Sequence, residues 1–144
     1  MLDKETIIKY NNDAEELSMQ FLRDYWERRK KKFPINPFDM LNFLNAHFIF
    51  REFDGIEGLY LPKKTDTDCD LVVINSNRKI TRQRYTAAHE ICHIIKDAKD
   101  NQIVCYTNSG EYIEKFADSF AASLLMPRDE LRKQIDEELG EIIY

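Results

Sequence analysis

A stretch that is apolar around most of its circumference can be accommodated only as a buried helix, and residues 82–96 form such a stretch. On a helical wheel Ala87, Ala88, Ile91, Ile94 and Ile95 occupy the arc facing away from a narrow polar wedge of Thr86, His89, Glu90 and His93. That wedge must face something other than bulk water, because each polar group buried without a partner costs roughly 2–7 kcal/mol, and a charge costs more. At 3.6 residues per turn His89 and His93 project from one face a turn apart, with Glu90 about 100° round the axis. A catalytic zinc site takes three protein ligands and keeps one position open for water, and a carboxylate beside the first ligand can accept that water's proton. The run His-Glu-Ile-Cys-His at 89–93 therefore reads as the H-E-x-x-H signature of a metallopeptidase. The competing reading is a pair of satisfied core histidines beside a surface glutamate.

A third ligand is expected downstream. In residues 111–125 the positions Ile113, Phe116, Ala117, Phe120, Ala121, Leu124 and Leu125 make one broad helical stripe, and Glu114 and Asp118 fall inside it. Acidic side chains are almost never fully buried unless paired or metal-bound, so two of them one turn apart on a core-facing stripe demand a cation or a donor. Glu114 is assigned to the metal. Asp118 is placed to accept the free ring N–H of a ligand histidine, fixing its tautomer. The alternative for Glu114 is a buried ion pair with an arginine such as Arg84. Ala117 and Ala121 are small enough to let this helix approach the histidine-bearing one closely.

The runs RYTAAHEICHII at 84–95 and EKFADSFAASLLMP at 114–127 resemble the two signature segments of the ImmA/IrrE family of metallopeptidases, small bacterial enzymes of the gluzincin type. FPINPFDMLNFLNAHFIF at 33–50 is similar to that family's helical lead-in, so the likeness covers most of the chain. The resemblance implies that His89, His93 and Glu114 are metal ligands, that Glu90 is the catalytic base, and that the substrate is a helix-turn-helix transcriptional repressor of a phage, mobile element or stress regulon. Two positions depart from the pattern: Cys92 stands where the family commonly has glycine, and Phe116 where it often has a second glutamate. Neither removes a ligand, and Cys92 is read as a small buried hydrophobe.

The implied fold is α+β: a small gluzincin-like domain in which a short twisted sheet packs against the active-site helix and the glutamate-bearing helix. Its 144 residues suit one domain, 1–144, with 1–46 as a helical lead-in and 47–139 as the catalytic core. Helices are expected over 12–32, from an Asn36 cap and Pro37 to about residue 45, over 111–125, and over 128–139 with Gly140 as the stop. Strands are expected at 47–53, 58–62 and 71–75, and a plain connection at 98–110. His47, at the start of the first strand, is read as structural. The basic run Arg28-Arg29-Lys30-Lys31-Lys32 is read as the dipole-complementing end of a helix whose first turn holds Asp13, Glu15 and Glu16. Asp66, Asp68 and Asp70 alternate as in an EF-hand, but Leu71 and Asn77 replace its glycine and glutamate, so a solvated acidic loop is expected.

A net charge of −5 offers no general attraction to nucleic acid, and no direct binding to it is expected. There is no run near the 18 apolar residues a membrane span needs and no signal-peptide layout at the start; a cytoplasmic monomer is expected. Three cysteines, 69, 92 and 105, lack a disulfide spacing and suit a reducing compartment. Zinc, Zn2+, is the expected cofactor, with manganese, Mn2+, also compatible with a nitrogen and oxygen donor set. Val73, Ile74 and Asn75, on the strand nearest the active helix in sequence, are the candidate sheet edge for holding substrate as an added strand. Tyr85, Tyr106 and Tyr112 are candidate donors to the oxyanion, and the sequence does not choose among them. A non-catalytic metal-binding regulatory module, or a toxin–antitoxin-like interaction partner, is the rival function.

Overall fold

The computed structural model describes residues 3–98, 102–107 and 110–143. Among them the chain runs α1 (Lys4–Arg28), α2 (Pro37–Phe43), β1 (His47–Arg51), β2 (Ile56–Leu61), β3 (Leu71–Asn75), α3 (Ile80–Lys96), β4 (Ile103–Tyr106), α4 (Tyr112–Leu125) and α5 (Arg128–Ile143). This is the α+β arrangement expected from the sequence. The four strands form one mixed sheet in the order β1-β3-β2-β4. β1 and β3 are parallel, with His47 opposite Leu71, while β2 runs antiparallel to both β3 and β4.

α3 lies against β2 and β3, α4 packs on α3, and α1 closes the far side of α4. The site residues of α3 and α4 thus come from two layers pressed together by the core. Met40, Leu41, Tyr60, Val72, Ile74, Ala87, Ala88, Ile91, Phe120 and Leu124 fill it. Ala117 and Ala121 are fully buried, as the close approach of α4 requires.

Several boundaries move for local reasons. α1 begins eight residues before the expected start, at Lys4 rather than 12, because Asp3 caps it by accepting from the Thr6 amide at 2.7 Å. Asp13, Glu15 and Glu16 therefore lie inside the helix, where they cannot complement its dipole, and of the basic run only Arg28 is helical. Lys31 instead pairs with Glu130 of α5 at 2.6 Å. α2 starts as expected, Asn36 accepting from the Phe38 and Asp39 amides, but Asn45 takes a left-handed φ of 58° and the helix has ended by Phe43. α5 runs through Gly140, which does not adopt the left-handed conformation that stops a helix.

Two corrections bear on function. The segment expected to be a connection contains β4, which pairs with β2. Val73, Ile74 and Asn75 are not on an edge: β3 is hydrogen-bonded on both sides, by β1 and by β2. The Asn75 side chain is buried and donates to the carbonyls of Phe53 and Ile56 at 3.0 and 2.8 Å, which ties the β1–β2 connection to β3. Closeness to α3 in sequence did not translate into position in the sheet, because strand order is set by non-local pairing. In the acidic loop Asp70 accepts from the Tyr60 hydroxyl and the Lys63 amide, which anchors the loop to the sheet.

Candidate metal centre

The polar wedge of α3 meets the acidic positions of α4 at the floor of a cleft of about 230 Å³ lined by Glu57, Arg82, Tyr85, Thr86, His89, Cys105, Tyr106, Glu114 and Asp118. His89 and His93 are buried, with ring centroids 4.9 Å apart. Each imidazole is held by a carboxylate at its far nitrogen. His89 Nδ1 lies 2.8 Å from Asp118 Oδ1, and His93 Nδ1 lies 3.0 Å from Asp97 Oδ2. A carboxylate only accepts, so both Nδ1 atoms donate and both Nε2 atoms are left to face inward.

What they face is each other and Glu114. The two Nε2 atoms are 3.1 Å apart; Glu114 Oε2 is 3.2 Å from His89 Nε2 and Oε1 is 2.9 Å from His93 Nε2. The last contact is close without being a hydrogen bond, and Oε1 has no hydrogen-bond partner among the described residues. With both rings neutral this would be lone pair against lone pair beside a buried carboxylate, an arrangement that needs positive charge at its centre. Donors around a tetrahedral zinc, with bonds near 2.0–2.1 Å, sit about 3.3 Å from one another. The observed spacings match that closely, so the donor set fits a small divalent cation.

The electrostatics of the buried groups point the same way. Burial pushes the His89 pKa down, but the carboxylates of Asp118 and Glu114 overcome it and raise it to about 10. His93 moves the same way against its own burial, through Asp97 and Glu114. Burial opposes ionisation of Glu114 too, and the two imidazoles outweigh it and hold its carboxyl well below the usual range.

Glu90 is fully buried one step round α3. Burial raises its affinity for a proton, and Oε2 has no hydrogen-bond partner among the described residues. Its room is made by Gly58 of β2: a Cβ there would sit 2.8 Å from Glu90 Oε1 and 2.8 Å from Thr86 Cγ2. Oε1 accepts from the Cys105 thiol of β4 at 2.8 Å. Among the described residues the ligating atoms of His89, His93, Cys105 and Glu114 all lie within 4.8 Å of one another and could hold a metal ion.

The alternative pairing for Glu114 does not occur, since Arg84 donates to the Ile35 carbonyl. Tyr85 lines the cleft but donates its hydroxyl to the Asp118 carbonyl at 3.1 Å; Tyr106 lines it and is 60% exposed; Tyr112 lies outside the lining, its ring against Phe116. Cys92 is fully buried in the core, as a small hydrophobe.

Four participants went unread in the sequence. Asp97 had a usable signal, standing one turn beyond His93. Cys105 and Gly58 had none: Gly58 meets Glu90 because α3 packs on β2, and Cys105 meets it because β4 pairs with β2. Glu57 is buried at the cleft wall and held by Thr107, Arg78 and Arg82, which outweigh the effect of burial and lower its pKa.

A family model described as the IrrE N-terminal-like domain, that of a peptidase family, matches residues 44–141. No curated protein matches the chain.

Proposed function

The chain belongs to the peptidase family of the IrrE N-terminal-like domain, and from that premise we propose that it is a zinc-dependent endopeptidase whose substrate is a helix-turn-helix transcriptional repressor. The observation that carries the reading is the convergence of two inward-facing Nε2 atoms and the Glu114 carboxylate beside a buried glutamate with one oxygen unpartnered among the described residues. His89, His93 and Glu114 hold the metal. When bound, zinc supplies Lewis acidity, which acidifies a water and polarises a carbonyl oxygen.

The chain's own groups do the rest. Asp118 and Asp97 fix both rings with Nε2 directed at the metal, and such partners also raise ligand basicity. Glu90 takes the proton of the attacking water and returns it to the leaving amine; its burial makes it a stronger base than an exposed carboxylate. β4 is an end strand of the sheet and brings Cys105 and Tyr106 to the cleft, so an extended segment of substrate is held along it as an added strand. Of the three candidate tyrosines, Tyr106 is the proposed donor to the oxyanion, because it lines the cleft while the Tyr85 hydroxyl is held by the Asp118 carbonyl. A purely regulatory module would have no use for a base with an uncommitted oxygen next to the metal donors.

The test is incubation with the repressor encoded beside this chain, with and without chelator. Cleavage is expected, lost on chelation and restored by zinc. Glu90→Gln is expected to bind one equivalent of metal and to lose about 10²–10⁴-fold in turnover. Retained turnover in that variant removes Glu90 from the role of base, and an intact repressor after long incubation with the zinc-loaded chain removes the substrate assignment.

A further inference from the structure

The proposed hydrolysis assigns no step to Cys105, yet its sulfur stands against Glu90 and beside the metal donors. It is 3% exposed, lines the cleft, and covers Glu90, which is fully buried. Its Sγ lies 2.8 Å from Glu90 Oε1 and within 4.8 Å of the ligating atoms of His89, His93 and Glu114. Two buried oxygens beside it, Glu90 Oε2 and Glu114 Oε1, have no hydrogen-bond partner among the described residues. We infer that Cys105 is a fourth protein ligand that closes the metal site in the resting protein and must withdraw before water and substrate can enter.

The inference rests on the metallopeptidase reading and adds regulation to it. Three donors leave a tetrahedral zinc one position for water, whereas four protein donors including a thiolate make the closed set typical of structural sites. Cys105 sits on β4, an end strand, so a small displacement of that strand is enough to carry the sulfur away. On ligation the S–H bond breaks and an S–metal bond forms, while the proton passes to Glu90 Oε1, leaving a carboxylic acid there. The base is occupied and the open position filled in one step. Withdrawal of the sulfur returns the proton to the thiol and frees both. A segment of substrate pairing along β4 would move the strand that holds the plug, which couples substrate binding to opening.

X-ray absorption at the zinc edge of the loaded, full-length chain tests this without reference to activity. The expected result is one sulfur scatterer at about 2.3 Å alongside nitrogen and oxygen neighbours. The cobalt(II)-substituted protein should show a sulfur-to-metal charge-transfer band in the near ultraviolet. Both signals should vanish in Cys105→Ser, survive in Cys92→Ser, and disappear with a severalfold rise in turnover in the former. One equivalent of bound metal with a purely nitrogen and oxygen shell overturns the inference while leaving the two histidines and Glu114 as ligands. A sulfur signal that persists in Cys105→Ser also overturns it. Failure of the wild-type chain to bind any metal removes the parent reading as well. The wild-type spectrum alone decides the first point, so a poorly folded variant does not leave the question open.

Discussion

Gly58 lacks a side chain for a reason that lies across the interface, in α3. A methyl group there would press on both Glu90 Oε1 and Thr86 Cγ2 at 2.8 Å, inside any normal contact distance. Neither neighbour can retreat cheaply, since Glu90 is fully buried and Thr86 nearly so. Gly58→Ala is expected to cost about 1–3 kcal/mol through overpacking and, by shifting Glu90, to depress turnover more than metal binding. Parallel denaturation curves and metal titrations check both parts; a stable variant with normal turnover would show that the gap is incidental. Asp118 acts one bond further from the metal. It fixes His89 by a single 2.8 Å contact, so Asp118→Ala should weaken zinc binding by about 10–100-fold, measured by competition with a chelating dye. Unchanged affinity would mean that packing, not the carboxylate, orients the ring.

α3 and α4 were legible as elements because each carries a long period-3.6 pattern with polar residues where the pattern forbids them. That conflict located His89, Glu90, His93, Glu114 and Asp118, and the structure brings all five together. β4 was not legible. Ile-Val-Cys-Tyr is too short to show alternation, and it is a strand because β2 offers it a ladder, a fact that no local pattern contains. The interior place of β3 was hidden for the same reason: β2, the strand that follows β1 in sequence, pairs with β3 and not with β1. Gly140 misled because glycine tolerates a helix interior at a cost of about 1 kcal/mol, and tertiary or local context decides whether it stops one. The element-level lesson is testable at Ala117, which is fully buried one turn from Glu114. Ala117→Leu should push α4 off its neighbours, cost about 1–3 kcal/mol, and lower zinc occupancy although no ligand is changed. Full occupancy in a folded Ala117→Leu protein would show that the Glu114 backbone need not sit where it does.

No helix of the described residues is long and apolar enough to cross a membrane. The fold is held by its core and by the junction of α3 with α4. A metal ion at that junction ties together two helices whose ligands His89 and Glu114 stand 25 residues apart in the chain, and any ligand that binds only the folded state stabilises it by mass action. At 100 times its dissociation constant, zinc should add about 2.7 kcal/mol, or roughly 10 °C in Tm for a chain of this size. The size of that effect must depend on pH. Without metal the folded His89 holds a proton up to about pH 10, whereas an unfolded histidine releases it near pH 6.5. The raised pKa therefore contributes stability that is complete below about pH 6.5 and lost as pH rises towards 10. The metal must displace that proton, so acid competes with it and alkali favours it. The gain in Tm on adding zinc to the chelator-treated protein should thus be small at pH 6 and grow towards pH 8.5. Calorimetric titrations in buffers of different ionisation enthalpy should record protons released as zinc enters. A pH-independent gain in Tm with no proton release would place the metal away from His89, and with it the chemistry assigned to this cleft.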